Sequence, residues 1–283
     1  MELEPLDPIY VNKRLSQPPF VTVPGVVNVR DLGSYPSQTS PGFMTRPGFI
    51  FRSGEVSSIT EEGKEKLKEL GVATIYDLRS DTEIERYESP CPDIDGVEII
   101  RTPVFKTEDY SPHMMAKRFE LYASGKTEAL MELYSQILDH GGPAFAAILR
   151  HVRDRPNEAF VFHCTAGKDR TGVAAALLLA LAGVNDDLIA EDYALTRVGR
   201  EPARQMVMAR LSQVPLFATN TEAALNMFTC RRETMLAFLT LLRDRYGGVE
   251  GYINTFAGLS PEDIQRIRTN LLVPTNGRSD ILP

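Results

Sequence analysis

Residues 159–182 constrain the fold more than any other stretch of this chain. They run Ala159-Phe160-Val161-Phe162-His163, then Cys164-Thr165-Ala166-Gly167-Lys168-Asp169-Arg170-Thr171-Gly172, then an apolar segment to Ala182. Phe160 to Phe162 has the composition of a short, fully buried strand. Gly172 to Ala182 is too short to cross a bilayer but suits a helix of the core, and Gly183 stops it. The polar loop between them is a strand-to-helix turn.

The composition of that loop points to an anion. Wound between a strand end and a helix N-terminus, it aims successive backbone N–H groups inward and forms a nest. The same positive field favours a thiolate at its base, on Cys164. Arg170, at the far rim, carries a planar fork that can clasp two phosphate oxygens. Thr171 supplies a hydroxyl for the thiolate or the leaving sulfur. A cysteine that merely packs ahead of a helix would not account for two glycines and a Lys-Asp-Arg run in the turn.

The string His163 to Gly172 resembles the signature of the cysteine-dependent phosphatases, and more narrowly that of the tyrosine-phosphatase-like proteins of bacteria and fungi. Flanking pieces carry the same resemblance. They are Asn28-Val29-Arg30-Asp31-Leu32-Gly33 with Phe51-Arg52-Ser53-Gly54, Asp77-Leu78-Arg79-Ser80, and Tyr246-Gly247-Gly248-Val249-Glu250-Gly251-Tyr252 with Gly258-Leu259-Ser260. The match runs from about residue 20 to about residue 272. It implies hydrolysis of phosphate monoesters, with protein phosphotyrosine as the first substrate class and phosphoserine/threonine or phosphoinositides beside it. A small organic phosphate, such as a prenyl phosphate, is the rival substrate. A catalytically silent phosphate-binding module is the rival class.

The chemistry assigns a role to each residue. Cys164 is the expected nucleophile, giving a cysteinyl-phosphate that water hydrolyses. Arg170 and the backbone of Thr165, Ala166, Gly167, Lys168, Asp169 and Arg170 stabilise the equatorial oxygens. His163 either tunes the thiolate through hydrogen bonds or sits satisfied in the core, its side chain pointing away from that of its neighbour. The general acid is open between Asp169, inside the loop, and Asp77, at another strand end; each is alternatively only an ion-pair partner, Asp77 for Arg170. Lys168 adds a point charge that suits ligands with more than one anionic group, or simply pairs with Asp169. Arg30, Arg52 and Arg79 either converge on the pocket or pair with Asp31 and Glu83. The mechanism needs no cofactor and no metal, and the histidines and cysteines show no ligand spacing.

Composition sets the remaining bounds. The chain is 43% hydrophobic and 24% charged, ordinary for a globular protein with a sizeable core, and its net charge of −7 argues against a generic nucleic-acid binder. Three cysteines (Cys91, Cys164, Cys230) form no disulfide framework and fit a reducing compartment. The N-terminus lacks a signal-peptide pattern and the C-terminus a prenylation box, so a cytoplasmic protein without stable membrane insertion is expected. The expected partner is a phosphorylated substrate, and oligomeric state is left open.

Along the chain, residues 1–19 read as an arm and 20–283 as one domain. Short strands are expected at Phe20–Val23, Phe49–Phe51, Val72–Leu78 and Val97–Ile100, with a helix capped by Thr60 and closed by Gly71. Their alternation with helices predicts an α/β fold, a mainly parallel central sheet flanked by helices, with ligands at the carboxyl ends of strands. Residues 106–140 form a helical insertion, Pro112–Ala123 and Thr127–Leu138, containing Met114, Met115, Phe119 and Tyr122. It is either an ordinary helical hairpin or a lid, the reading the resemblance favours. Pro143–Val152 is a further helix. After Ala182 the chain reads as helical, with segments from Asp186, Pro202 and Pro261 and an apolar stripe of Met235, Phe238, Leu239 and Leu242.

Overall fold

A computed structural model of the chain describes residues 4–106 and 112–275. Strands β1 (Arg30–Asp31), β2 (Phe43–Thr45), β3 (Ile50–Ser53), β4 (Val72–Asp77), β5 (Glu98–Arg101), β6 (Ala159–His163) and β7 (Leu272–Pro274) form two sheets. The larger has the order β1-β3-β6-β4-β5; the smaller pairs β2 with β7. In the large sheet only β1 runs antiparallel. The register sets Ser53 of β3 and Asp77 of β4 beside His163, so three strands end together at the start of the cysteine loop.

Alternation along β6 sorts its side chains between two cores. Phe160 and Phe162 face the larger, helical one, while Ala159 and Val161 join Phe51, Ile75 and Leu67 on the opposite face. Helices α1 (Pro8–Leu15), α2 (Glu61–Glu69), α3 (Asp81–Arg86), α4 (Pro112–Ala123), α5 (Thr127–Asp154), α6 (Asp169–Leu181) and α7 (Asp186–Gly199) precede or follow the strands. After them come α8 (Arg204–Leu211), α9 (Pro215–Ala218), α10 (Thr221–Asn226), α11 (Arg232–Tyr246), α12 (Gly248–Phe256) and α13 (Pro261–Leu271). Leu67 brings α2 onto the smaller core; α5, α6 and α11 build the larger one. The α/β architecture is the one the sequence predicts.

Caps place several boundaries where local chemistry asks for them. Thr60 accepts from Gly63 N at 3.1 Å ahead of α2, and Asn185 accepts from Leu188 N at 2.8 Å ahead of α7. Ser260 and Asp263 form a reciprocal capping box at α13. Met235, Phe238, Leu239 and Leu242 are all buried on α11.

Four expectations change. The stretch expected as an arm carries α1, capped by Asp7 with Pro8 at its first turn, and Val11 packs with Phe20 and Val198. Phe20–Val23 makes isolated bridges, Phe20 to Arg30 and Val23 to Val26, rather than a strand. The helices expected at 127–138 and 143–152 are one helix, α5, which runs through Pro143. Its apolar face continues across the proline as Leu133, Ile137, Phe145, Leu149 and Val152, and that burial outweighs the lost backbone hydrogen bond. Close packing helps: a Cβ on Gly142 would stand 2.1 Å from the Phe256 carbonyl. The helix expected over Pro202–Leu211 opens as a 3-10 turn over Glu201–Ala203 and continues as α8 to Leu211, with the short helices α9 and α10 after it. Of the expected insertion, residues 107–111 lie outside the described residues.

Candidate active site

Cys164 follows the end of β6 and is 2% exposed; α6 begins five residues later at Asp169. The loop is held from outside by its carbonyls. Glu55 N donates to Thr165 O at 3.1 Å. Asn28 Nδ2 and Arg52 Nη2 donate to Gly167 O at 3.1 and 3.0 Å. In a trans peptide the N–H points opposite the C=O, so these contacts turn the N–H groups of Ala166 and Lys168 toward the inside of the loop. Gly167 has φ +63°, and a Cβ there would stand 2.3 Å from Ser53 O. Only glycine fits that position.

Arg170 meets Glu83 end on, Nη1 to Oε2 and Nη2 to Oε1 each at 2.7 Å. Thr165 Oγ1 also donates to Glu83. Glu83 sits on α3 in the third position after Ser80, whose hydroxyl accepts the Glu83 N–H at 3.1 Å. The sequence placed Glu83 only as a partner for one of three other arginines. The Ser80-x-x-Glu83 spacing, a helix-start signature, was the available signal.

The two candidate acids occupy different surroundings. Asp77 is fully buried and accepts from Arg79 Nε at 2.9 Å, Arg79 Nη2 at 2.8 Å and the Arg79 backbone N at 3.0 Å. Its other neighbours are Cys91 Sγ at 3.2 Å and His163 Nδ1 at 3.9 Å. Burial works to raise the Asp77 pKa, but the charge and hydrogen bonds of Arg79 hold the carboxyl well below the usual range. Asp77 is thus the partner of Arg79, and Arg79 also bonds Glu55 at 2.8 Å. Asp169, at the head of α6, accepts from Tyr134 OH at 2.8 Å through Oδ1 and from Tyr122 OH at 3.1 Å through Oδ2.

The remaining residues divide likewise. His163 Nδ1 lies 3.1 Å from Cys164 O, and burial lowers the pKa of the ring. Thr171 Oγ1 is buried with no hydrogen-bond partner among the described residues, a hydroxyl in the first turn of α6. Lys168 is 1% exposed: Nζ lies 3.5 Å from Met227 O, 3.8 Å from Asp169 Oδ1 and 5.4 Å from the Tyr122 ring centre. Arg30 and Arg52 pair with Asp192 on α7, not with Asp31.

A second layer touches this loop at Lys168 and Asp169, through Tyr122 of α4 and Met227 O. Phe119 of α4 packs on Phe217 of α9, in a small apolar cluster with Leu211, Ala224 and Phe228 that is separate from the main core. Asn226 Nδ2 donates to Ala123 O at 2.9 Å and Arg231 Nη1 to Gly125 O at 2.8 Å, tying α4 to α10 and the start of α11. Residues 204–228 therefore pack against α4, a pairing the sequence did not reveal.

Known proteins resemble this chain over most of its length. The sequence profile of the tyrosine phosphatase family matches residues 21–273. The chain is 29% identical over 282 residues to the triple specificity protein phosphatase PtpB of Mycobacterium tuberculosis, covering 88% of this chain and 98% of that one. It is 30% identical over 226 residues to a tyrosine-protein phosphatase of Nostoc commune, covering 78% and 73%.

Proposed function

This chain belongs to the tyrosine phosphatase family and is a cysteine-dependent phosphatase, and from that premise we propose that it works through a cysteinyl-phosphate on Cys164 with protein phosphotyrosine as its first substrate class. The observation that carries the proposal is the loop itself. Cys164 lies at its base, inward N–H groups line it, and the Arg170 guanidinium, fixed by Glu83, closes its far rim. Thiolate attack forms the S–P bond as the ester P–O bond breaks, and water then cleaves S–P to release phosphate. We assign the proton transfers to Asp169, which Tyr122 and Tyr134 orient, and a supporting role to Asp77, which is spent on Arg79. The unpartnered Thr171 hydroxyl serves the sulfur.

Residues 20–283 act as one domain on this reading, and α4 with residues 204–228 is its lid. Lys168 reaches Met227 O and the Tyr122 ring, and Tyr122 donates to Asp169, so movement of this layer would open the side of the loop that carries them. A relative named for triple specificity supports phosphoserine/threonine and a third substrate class beside phosphotyrosine, with Lys168 as the additional cation. The prenyl-phosphate rival gains no support, because Phe119 and Phe217 are used in packing against each other. No helix among the described residues is long and apolar enough to cross a membrane, and three free cysteines, the catalytic one among them, fit a reducing, cytoplasmic setting.

The test is phosphate release from a panel of tyrosine phosphopeptide, serine phosphopeptide, phosphoinositide and prenyl phosphate, with Cys164→Ser as the blank. Turnover of the tyrosine phosphopeptide that disappears in Cys164→Ser, while the variant still binds phosphate ligands, is the expected result. Turnover that survives the substitution would remove Cys164 as the nucleophile.

A further inference from the structure

Arg30 and Arg52 stand directly opposite each other across the β1–β3 ladder. Like charges so placed repel. Asp192 stands between them, taking Arg30 Nε at 2.8 Å on Oδ1 and Arg52 Nη1 at 2.5 Å on Oδ2, with all three side chains at most 1% exposed. Tyr35 donates to the same carboxylate at 3.3 Å without adding charge. Two guanidiniums thus share one carboxylate, which leaves one positive charge over in a dry region. Arg52 Nε has no hydrogen-bond partner among the described residues. An unanswered buried charge is costly, and one that persists calls for an anion nearby. Cys164 lies within the field of Arg52.

Arg52 reaches the loop directly and Arg30 acts on it through Asn28. Arg52 Nη2 donates to Gly167 O, as does Asn28 Nδ2, and Arg30 Nη1 fixes Asn28 by donating to its Oδ1 at 2.6 Å. We propose that Arg52, with Asn28, is a positioning residue of the phosphate cradle. It fixes the Gly167–Lys168 peptide so that the Lys168 N–H faces the bound phosphoryl group, and it holds beneath the loop a positive charge that a thiolate or a phosphoryl dianion answers. This rests on the cysteinyl-phosphate reading and adds to it a second cationic residue, one that works from behind the loop instead of from its rim.

The experiment uses the full chain, orthovanadate as inhibitor and para-nitrophenyl phosphate as substrate. Asn28→Asp is nearly isosteric, tolerates the left-handed backbone of position 28 (φ 61°), retains an acceptor for Arg30, removes a donor to Gly167 and cancels the spare charge. It is expected to weaken vanadate inhibition by about tenfold or more and to raise KM in step, with a smaller fall in kcat. Arg52→Met is expected to do the same, and Arg52→Lys to recover part of the vanadate affinity. Unchanged vanadate affinity in folded Asn28→Asp overturns the proposal, as does a loss confined to thermal stability; where Arg52→Met does not fold, Asn28→Asp decides. If wild type neither turns over nor binds vanadate, the cysteinyl-phosphate reading is what falls.

Discussion

Arg170 and Glu83 come from elements 87 residues apart in sequence and meet through two 2.7 Å contacts, both Nη atoms against both carboxylate oxygens. An arginine on a loop rim has several rotamers, and a bidentate partner selects one. Glu83 therefore does for Arg170 what packing does for a core residue. Glu83→Gln retains the shape and loses the charge. It is expected to lower kcat/KM by about ten- to a hundredfold, the loss typical of a charge-assisted hydrogen bond. Steady-state kinetics on an aryl phosphate measures it; unchanged kcat/KM would show that Arg170 is held by other groups.

Asp169 should reveal its role through the leaving group. Asp169→Asn is expected to slow alkyl phosphates more than an aryl phosphate whose leaving oxygen needs little protonation. Rates across a series of leaving-group pKa values give the comparison. Equal slowing throughout would assign the proton to another group.

Asp192 is the only carboxylate bonded to Arg30 and Arg52 among the described residues. Asp192→Asn leaves two buried guanidiniums facing each other, and breaking such a pair from one side costs about 3–5 kcal/mol. Urea denaturation is the measurement. A loss below about 1 kcal/mol would mean that water reaches these arginines.

Asp31 makes stability depend on pH in the opposite sense to a salt-bridged carboxylate. Burial raises its pKa to about 6, against the opposing hydrogen bonds from Gly48 N and Gly33 N. The native state then holds a proton that the unfolded chain releases until pH falls to about 4. Asp31 therefore contributes stability as pH drops through 6, and that contribution is lost as pH rises again. Wild type is expected to gain on Asp31→Asn between pH 7 and pH 4.5, read as the difference in urea midpoint. A constant difference would place Asp31 at its ordinary pKa.

The sequence by itself determined the parts of this protein that are local. Phe160 to Phe162 and the apolar run before Gly183 specify a strand and a helix by composition, and Gly167 and the Cys164-to-Arg170 spacing specify the loop between them. Thr60, Asn185 and Ser260 mark helix starts because a capping hydroxyl or amide acts within three residues. Tertiary structure alone decided which charges meet. By sequence Asp77 can pair with Arg170, and Arg30, Arg52 and Arg79 with Asp31 and Glu83; in the structure Asp77 bonds Arg79, Arg30 and Arg52 share Asp192, and Arg170 takes Glu83. It also decided that α5 runs through Pro143 and that residues 204–228 pack with Phe119 of α4. The physical reason is range. Caps, turns and periodicity act over a few residues, whereas strand register and helix packing bring Asp192 to Arg30 and Arg52 across 162 and 140 positions and Glu83 to Arg170 across 87.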